Sequence, residues 1–214
     1  MSRAKLVVVA AMAIVAISAL ASASASALPE FLPTTTKAKF TSTSGPGTLE
    51  TSAKEQINCS ADTNEGQILS ATTFDVTIKF TGCKAFGIAN CSTTGAASGE
   101  LVVKATATLG YLSKTAKTVG AKLNVTEFEF TCAGGLVKGK VKGAVIGQLT
   151  PVNKKTKTGE LILKQTGGEN EFQHFEGEAT LSKLESSKNG GAFELAGEET
   201  TDSITFLEEI TLDA

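Results

Sequence analysis

The sequence predicts an all-β protein with antiparallel strands, and three observations lead to this prediction. Residues 74–80 alternate strictly between apolar and polar side chains, which is the period of a half-buried strand. Gly is abundant at 21 residues, Pro is scarce at 4, and turn pairs such as Gly167-Gly168 separate the apolar segments. After the N-terminal segment, no stretch keeps a helical apolar period for three turns. Short strands separated by turns favour an antiparallel β-sandwich, with a closed β-barrel as the alternative.

Residues 1–27 have the order of a secretory signal peptide. Arg3 and Lys5 precede an uncharged, mainly apolar run over residues 6–20, and residues 21–27 alternate Ala with Ser. That run is about 15 residues long, whereas a membrane-spanning helix needs about 20. Small residues permit cleavage after Ala23, Ala25 or Ala27, and we prefer Ala27.

The sequence therefore divides into a signal peptide over residues 1–27 and a single β-rich domain over residues 28–214. A possible seam lies near residues 151–158, because all four Cys precede it and the charge balance changes across it. We expect the mature chain to be secreted or held at the cell surface, without a transmembrane span.

Charge and aromatic content exclude some classes of partner. Removal of residues 1–27 leaves 18 Lys, no Arg and 22 acidic residues, a net charge of −4. Arg is the usual residue for bidentate recognition of phosphate and base edges, so we expect no nucleic-acid partner. Trp is absent and Tyr111 is the only Tyr, which leaves little from which to build an aromatic sugar-binding platform.

Successive segments of the predicted domain each have a strand pattern. Residues 29–47 are expected to form an extended entry or an edge strand around Phe40. A phase slip at Thr126 and Glu127 predicts a β-bulge, and further strands are predicted over residues 161–163, 179–184 and 204–212. The side chains predicted to face the core are Phe74, Val76, Ile78, Phe80, Leu101, Val103, Ala105, Ala107, Leu109, Leu123, Val125, Phe128, Phe130, Val137, Val141 and Val145.

Four cysteines in an exported chain predict two disulfide bonds. Cys59, Cys83, Cys91 and Cys132 allow three pairings, and the spacing does not choose among them. In one of these, Cys83 and Cys91 close the turn between them, and Cys59 joins Cys132. We expect no metal or other cofactor at these residues, because no C-x-x-C pair is present and His174 is the only histidine.

No catalytic residue is predicted. The chain has no motif of a catalytic nucleophile that His174 could serve as a general base. We therefore expect His174 to be a surface or half-buried residue of a strand. Lys157-Thr158-Gly159 matches a triplet of penicillin-recognising enzymes, but their S-x-x-K motif is missing, so we interpret the triplet as a turn. A calcium site at Glu198, Glu199 and Asp202 would lack the usual calcium loop, and a solvated acidic face or pairing between strands is preferred.

Lys138, Lys140 and Lys142 form a basic stripe on one predicted strand. The stripe could bind an acidic wall polymer or anionic lipid. Exposure to solvent, or pairing with the acidic C-terminal strands, is the interpretation that we prefer, because residues 160–213 hold 13 carboxylates and three Lys.

Short motifs along the chain resemble a family of exported β-rich proteins of high-GC Gram-positive bacteria, for which no activity is known. The resemblance covers most of the mature chain and implies bacterial export, without a substrate or a catalytic residue. The motifs are Leu28-Pro29-Glu30-Phe31, Phe80-Thr81-Gly82-Cys83, Leu109-Gly110-Tyr111-Leu112, Gly143-Ala144-Val145-Ile146-Gly147, Phe175-Glu176-Gly177 and Glu208-Glu209.

These observations favour a secreted, non-enzymatic extracellular or cell-surface β-domain with a binding or structural role. Its expected partner is a component of the cell envelope or an extracellular polymer. A secreted hydrolase that uses Glu171, Glu176 and Glu178 is one alternative. A carrier of apolar ligands is another, if the sheet closes around an open lumen lined by Phe.

Overall fold

A computed structural model describes residues 28–33 and 37–214, so the predicted signal peptide lies outside the described residues. Within them the chain forms sixteen strands and one short 3₁₀ turn, Ala133–Gly135. The strands are β1 Glu30–Leu32, β2 Lys39–Ser44, β3 Gly47–Thr51, β4 Gln56–Cys59, β5 Ala61–Ile68, β6 Thr73–Thr81, β7 Lys84–Ala85, β8 Ala89–Thr93, β9 Leu101–Ser113, β10 Thr118–Cys132, β11 Val137–Thr150, β12 Lys155–Leu163, β13 Gln165–Thr166, β14 Glu169–Asn170, β15 Leu184–Lys188 and β16 Glu194–Asp213.

Fourteen of the strands belong to one continuous sheet, and every pairing is antiparallel. The predicted all-β, antiparallel fold is therefore confirmed. The pairings run in the order β16-β2-β5-β6-β9-β10-β11-β12 and then return to β16. Inward side chains from these eight strands, including Phe40, Val76, Leu123 and Phe206, form one buried apolar cluster.

A second circuit of pairings occupies the other end of the molecule, in the order β16-β3-β4-β7-β8-β10-β11-β15. It surrounds a smaller buried cluster that contains Phe130, Val141, Leu184 and three of the four cysteines. β10, β11 and β16 are long enough to contribute to both circuits. These three strands therefore join the two apolar clusters end to end.

The predicted strand faces agree with the structure. Residues 101–109 of β9 alternate between side chains that are buried and side chains that face outward, and β6 shows the same alternation. The register between β10 and β11 shifts between Val125 and Phe128, which confirms the bulge predicted at Thr126 and Glu127.

Gly139 and Gly143 on β11 have no room for a side chain. Gly139 lies opposite Phe130 in the β10–β11 register, and an added Cβ there would lie 2.1 Å from the Phe130 ring. An added Cβ at Gly143 would lie 2.1 Å from the carbonyl oxygen of Lys183.

Three local predictions were wrong. Phe40 lies on β2, which pairs with β5 on one side and β16 on the other, so β2 is an interior strand. Residues 179–183 are irregular and not a strand. Their segment lies against β10 and β11 but forms only isolated hydrogen bonds, such as the one that the Ala144 N–H donates to the Lys183 carbonyl. Thr158-Gly159 lies inside β12, paired with β16, and is not a turn.

The cysteines form two disulfides, Cys59–Cys83 and Cys91–Cys132, instead of the pairing that closes the turn between Cys83 and Cys91. The four cysteines lie side by side across neighbouring strands. Cys59 is at the end of β4, Cys83 comes just before β7, Cys91 lies on β8 and Cys132 lies at the end of β10. Cys83 and Cys91 are the hydrogen-bonded pair of this row, since Cys91 N–H donates to the Cys83 carbonyl. Side chains are closer in the neighbouring non-hydrogen-bonded pairs, and the bonded cysteines there have Cα atoms 3.9 and 4.0 Å apart.

Candidate functional site

The carboxylates proposed for a hydrolase do not converge. Glu171 forms an ion pair with Lys164, Glu176 accepts a hydrogen bond from the Lys114 backbone N–H, and Glu178 pairs with Lys122. His174 is exposed, as predicted, but lies in an irregular segment and not in a strand. These residues therefore offer no shared catalytic centre.

Two of the three lysines in the basic stripe pair with acidic side chains. Lys140 contacts Glu127 and Glu129, and Lys142 contacts Glu185 on β15 while its ammonium lies 3.8 Å from the centre of the Phe193 ring. Pairing with an acidic C-terminal strand, one of the two preferred interpretations, is therefore confirmed for Lys142, whereas the partners of Lys140 belong to β10. Lys138 has no ion pair with any of the residues described.

The interior contains a group of polar side chains, the interior carboxyl cluster, on β2, β5 and β16. Its members are Ser42, Asp62, Asn64, Glu198, Thr200 and Asp202, which all line one cavity together with Phe and aliphatic side chains. Glu199, predicted beside Glu198 and Asp202, is exposed on the opposite face of β16. The alternation that places Ile204 and Phe206 inward also places Asp202, Thr200 and Glu198 inward, and this was the signal in the sequence that could have identified them.

Hydrogen bonds join the cluster across β2. The register pairs Asp202 with Ser44, and Ser44 with Asp62, so the two aspartates lie on either side of one β2 residue. Asn64 Nδ2 lies 2.8 Å from Asp62 Oδ1, 2.6 Å from Asp202 Oδ1 and 2.7 Å from Ser42 Oγ. Asp62 also accepts a hydrogen bond from Ser44 Oγ.

Two oxygen atoms of the cluster have no hydrogen-bond partner among the described residues: Asn64 Oδ1 and Thr200 Oγ1. Asn64 is 5% exposed and Thr200 is 4% exposed, so bulk water does not solvate them. A buried polar atom without a partner costs about 1–3 kcal/mol, and such atoms in proteins commonly face a bound water or ion.

Two carboxyl groups of the cluster, Asp202 and Glu198, are unusually hard to ionise. Burial raises the pKa of Asp202 to about 8, with further contributions from the charge of Asp62 and a hydrogen bond with it. Burial, and then the charge of Asp62, raise the pKa of Glu198 to about 7. No Lys, Arg or His is among the described residues that line the cavity, so no fixed cation balances these acids.

The cavity beside the cluster is small, with a volume of about 50 Å³. It has room for a few water molecules, whereas ligand pockets typically measure 300–1,000 Å³. The rest of this interior is filled by side chains such as Phe31, Phe40 and Phe74. This space does not favour a lipid carrier, nor a hydrolase that must admit a glycan or peptide to Asp62 and Asp202.

A second candidate site, the disulfide-bonded end, lies on the surface. It consists of the turn residues Phe86 and Ile88 between β7 and β8, and Leu136 between β10 and β11. Their exposures are 64%, 84% and 82%. The Cys91–Cys132 register of β8 and β10 places the two loops at the same end, and Phe86 lines a groove together with Val137. Exposed apolar side chains grouped at one end of a molecule are candidates for a protein or membrane contact site, whereas single ones are common on any protein surface.

Comparison with protein-family models, curated proteins and solved structures gives no match to this chain. In the part of the chain that the structure describes, no helix is long and apolar enough to cross a membrane. Nor do any three His, Cys, Asp or Glu side chains among these residues form a group able to hold a metal ion.

Proposed function

We propose that this chain is an exported, non-enzymatic β-domain that binds an anionic lipid surface of the cell envelope through its disulfide-bonded end. The observation that carries the proposal is the exposure of Phe86, Ile88 and Leu136 on adjacent loops. Transfer of apolar side chains at a loop tip from water to the boundary between lipid headgroups and acyl chains lowers the free energy.

Lysines beside the apolar residues support an anionic surface as the partner. Lys84 precedes Phe86 by two residues, and Lys138 follows Leu136 by two. Both are exposed, and neither forms an ion pair with a residue in the described ranges. Each Lys near an anionic membrane contributes about 1 kcal/mol to binding.

The two disulfides support a binding role because they fix the loops that carry the apolar residues. Cys83 and Cys91 flank the turn of Phe86 and Ile88, and Cys132 immediately precedes the segment that ends in Leu136. A surface that is ordered before binding loses less conformational entropy on contact.

Vesicle cosedimentation tests the proposal. The oxidised mature chain is mixed, at low salt, with phosphatidylcholine vesicles or with vesicles that also contain phosphatidylglycerol. We expect binding to the anionic vesicles, at least about tenfold weaker binding for Phe86→Ser/Ile88→Ser/Leu136→Ser, and weaker binding for Lys84→Glu/Lys138→Glu. Leu207→Ser is the matched control, because Leu207 is 62% exposed on β16 away from these loops.

Equal sedimentation of the triple variant and the wild type would contradict the proposal. So would binding to an anionic wall polymer that withstands the triple substitution, because a polymer chain offers charge without an apolar layer. In that case the partner would be a polymer, recognised by lysines alone.

A further inference from the structure

We propose that the interior carboxyl cluster binds one hard divalent cation of the calcium type. Asp62 and Asp202 supply the charge, and Asn64, Ser42 and Thr200 supply neutral oxygen atoms. Calcium takes six to eight oxygen ligands from carboxylates, amide carbonyls, hydroxyls and water, and this is the set of atoms that the cluster presents.

The first argument is charge. Asp62 is 2% exposed and Asp202 is 5% exposed, and an oxygen atom of each lies within 2.8 Å of the Asn64 amide nitrogen. The third acid, Glu198, faces the same cavity, and the residues described around it include no basic side chain. Buried carboxylates without a cationic partner are strongly disfavoured, so the cluster needs a proton or a cation to be stable in its apolar surroundings.

The second argument is the position of the Asn64 amide. Its Nδ2 group has two hydrogens but lies within 2.8 Å of three oxygen atoms, while its Oδ1 has no partner among the described residues. Because Nδ2 already donates to oxygen atoms of Asp62 and Asp202, Oδ1 is the atom of this buried side chain that is left for a ligand at the cavity.

The third argument is the unpartnered hydroxyl of Thr200, which is 4% exposed and lines the same cavity. It is a further oxygen ligand within the lining, and the cavity of about 50 Å³ can hold the water molecules that complete a coordination shell. Two carboxylates with several neutral oxygens make such a site even though no three acidic side chains meet at one point among the residues described.

The test begins with metal analysis of the mature chain after dialysis against chelator and then against calcium. We expect about one bound calcium per chain, a higher unfolding temperature with calcium than with chelator, and a smaller effect of magnesium, which demands stricter octahedral geometry. Asp202→Asn and Asp62→Asn should each weaken calcium binding at least about tenfold, because the charge of the ligands sets the affinity. Asp75→Asn, an exposed carboxylate on β6, is the matched control.

A second measurement needs no variant, in case the substituted chains fold poorly. Europium can replace calcium, and its luminescence lifetime reports how many water molecules remain bound. A protein cage of oxygens leaves few, whereas adventitious binding at the acidic surface leaves most of the hydration shell. Absence of a stoichiometric ion, equal unfolding temperatures with calcium and chelator, or a fully hydrated europium ion would each overturn the proposal.

Discussion

Replacement of Asp202 by Asn should change the pH dependence of stability when metal is removed by chelator. In the unfolded chain Asp ionises near pH 4, but burial raises the pKa of Asp202 in the folded chain to about 8. Between these values the folded chain binds more protons than the unfolded chain, so its free energy of unfolding falls as the pH rises. The side-chain amide of the Asp202→Asn chain does not titrate in this range, so the substitution should remove this contribution.

The magnitude follows from the size of the pKa shift. Each pKa unit corresponds to about 1.4 kcal/mol, and roughly three units of the Asp202 shift lie between pH 5 and pH 8. The wild type should therefore lose about 4 kcal/mol of unfolding free energy between pH 5 and pH 9 through this group. The Asp202→Asn chain should lose correspondingly less over the same range.

Urea unfolding followed by circular dichroism at pH 5 and pH 9, with chelator present, measures both losses. Asp75→Asn provides the control for a change of one net charge, since Asp75 is exposed on β6. Equal losses for the wild type and the Asp202→Asn chain would refute the reasoning, because the pH dependence would then arise elsewhere in the molecule.

Three further outcomes are expected. Gly66→Ala should destabilise the chain by about 2 kcal/mol, because its Cβ would lie 2.1 Å from the Phe40 ring, while Gly45→Ala, with no atom within 4 Å, should have little effect in the same urea titration. Cys91→Ser/Cys132→Ser should cost about 4 kcal/mol from the loss of a loop closure with a sequence separation of 41; an unchanged urea midpoint would contradict this. Peptide mapping without reduction should recover Cys59 joined to Cys83, and recovery of Cys83 joined to Cys91 would contradict the observed row of cysteines.

Part of the fold follows from local patterns in the sequence. The alternation in Phe74 to Phe80 and in Leu101 to Leu109 determines which side chains face the core, because successive side chains of a strand point to opposite faces. The phase slip at Thr126 and Glu127 locates the bulge for the same reason. The even number of cysteines indicates two disulfides, but their pairing depends on which strands become neighbours.

The candidate sites required the tertiary structure. Asp62 and Asp202 are 140 positions apart, and they meet only because β2 pairs with both β5 and β16. Phe86 and Leu136 belong to different turns, which are brought to one end by the pairing of β8 with β10. The sequence alone determined the faces of the clearly alternating strands, such as β6 and β9, since a period of two residues is set within one segment. Only the tertiary structure decided the neighbours of each strand, since long-range register depends on the packing of the whole sheet.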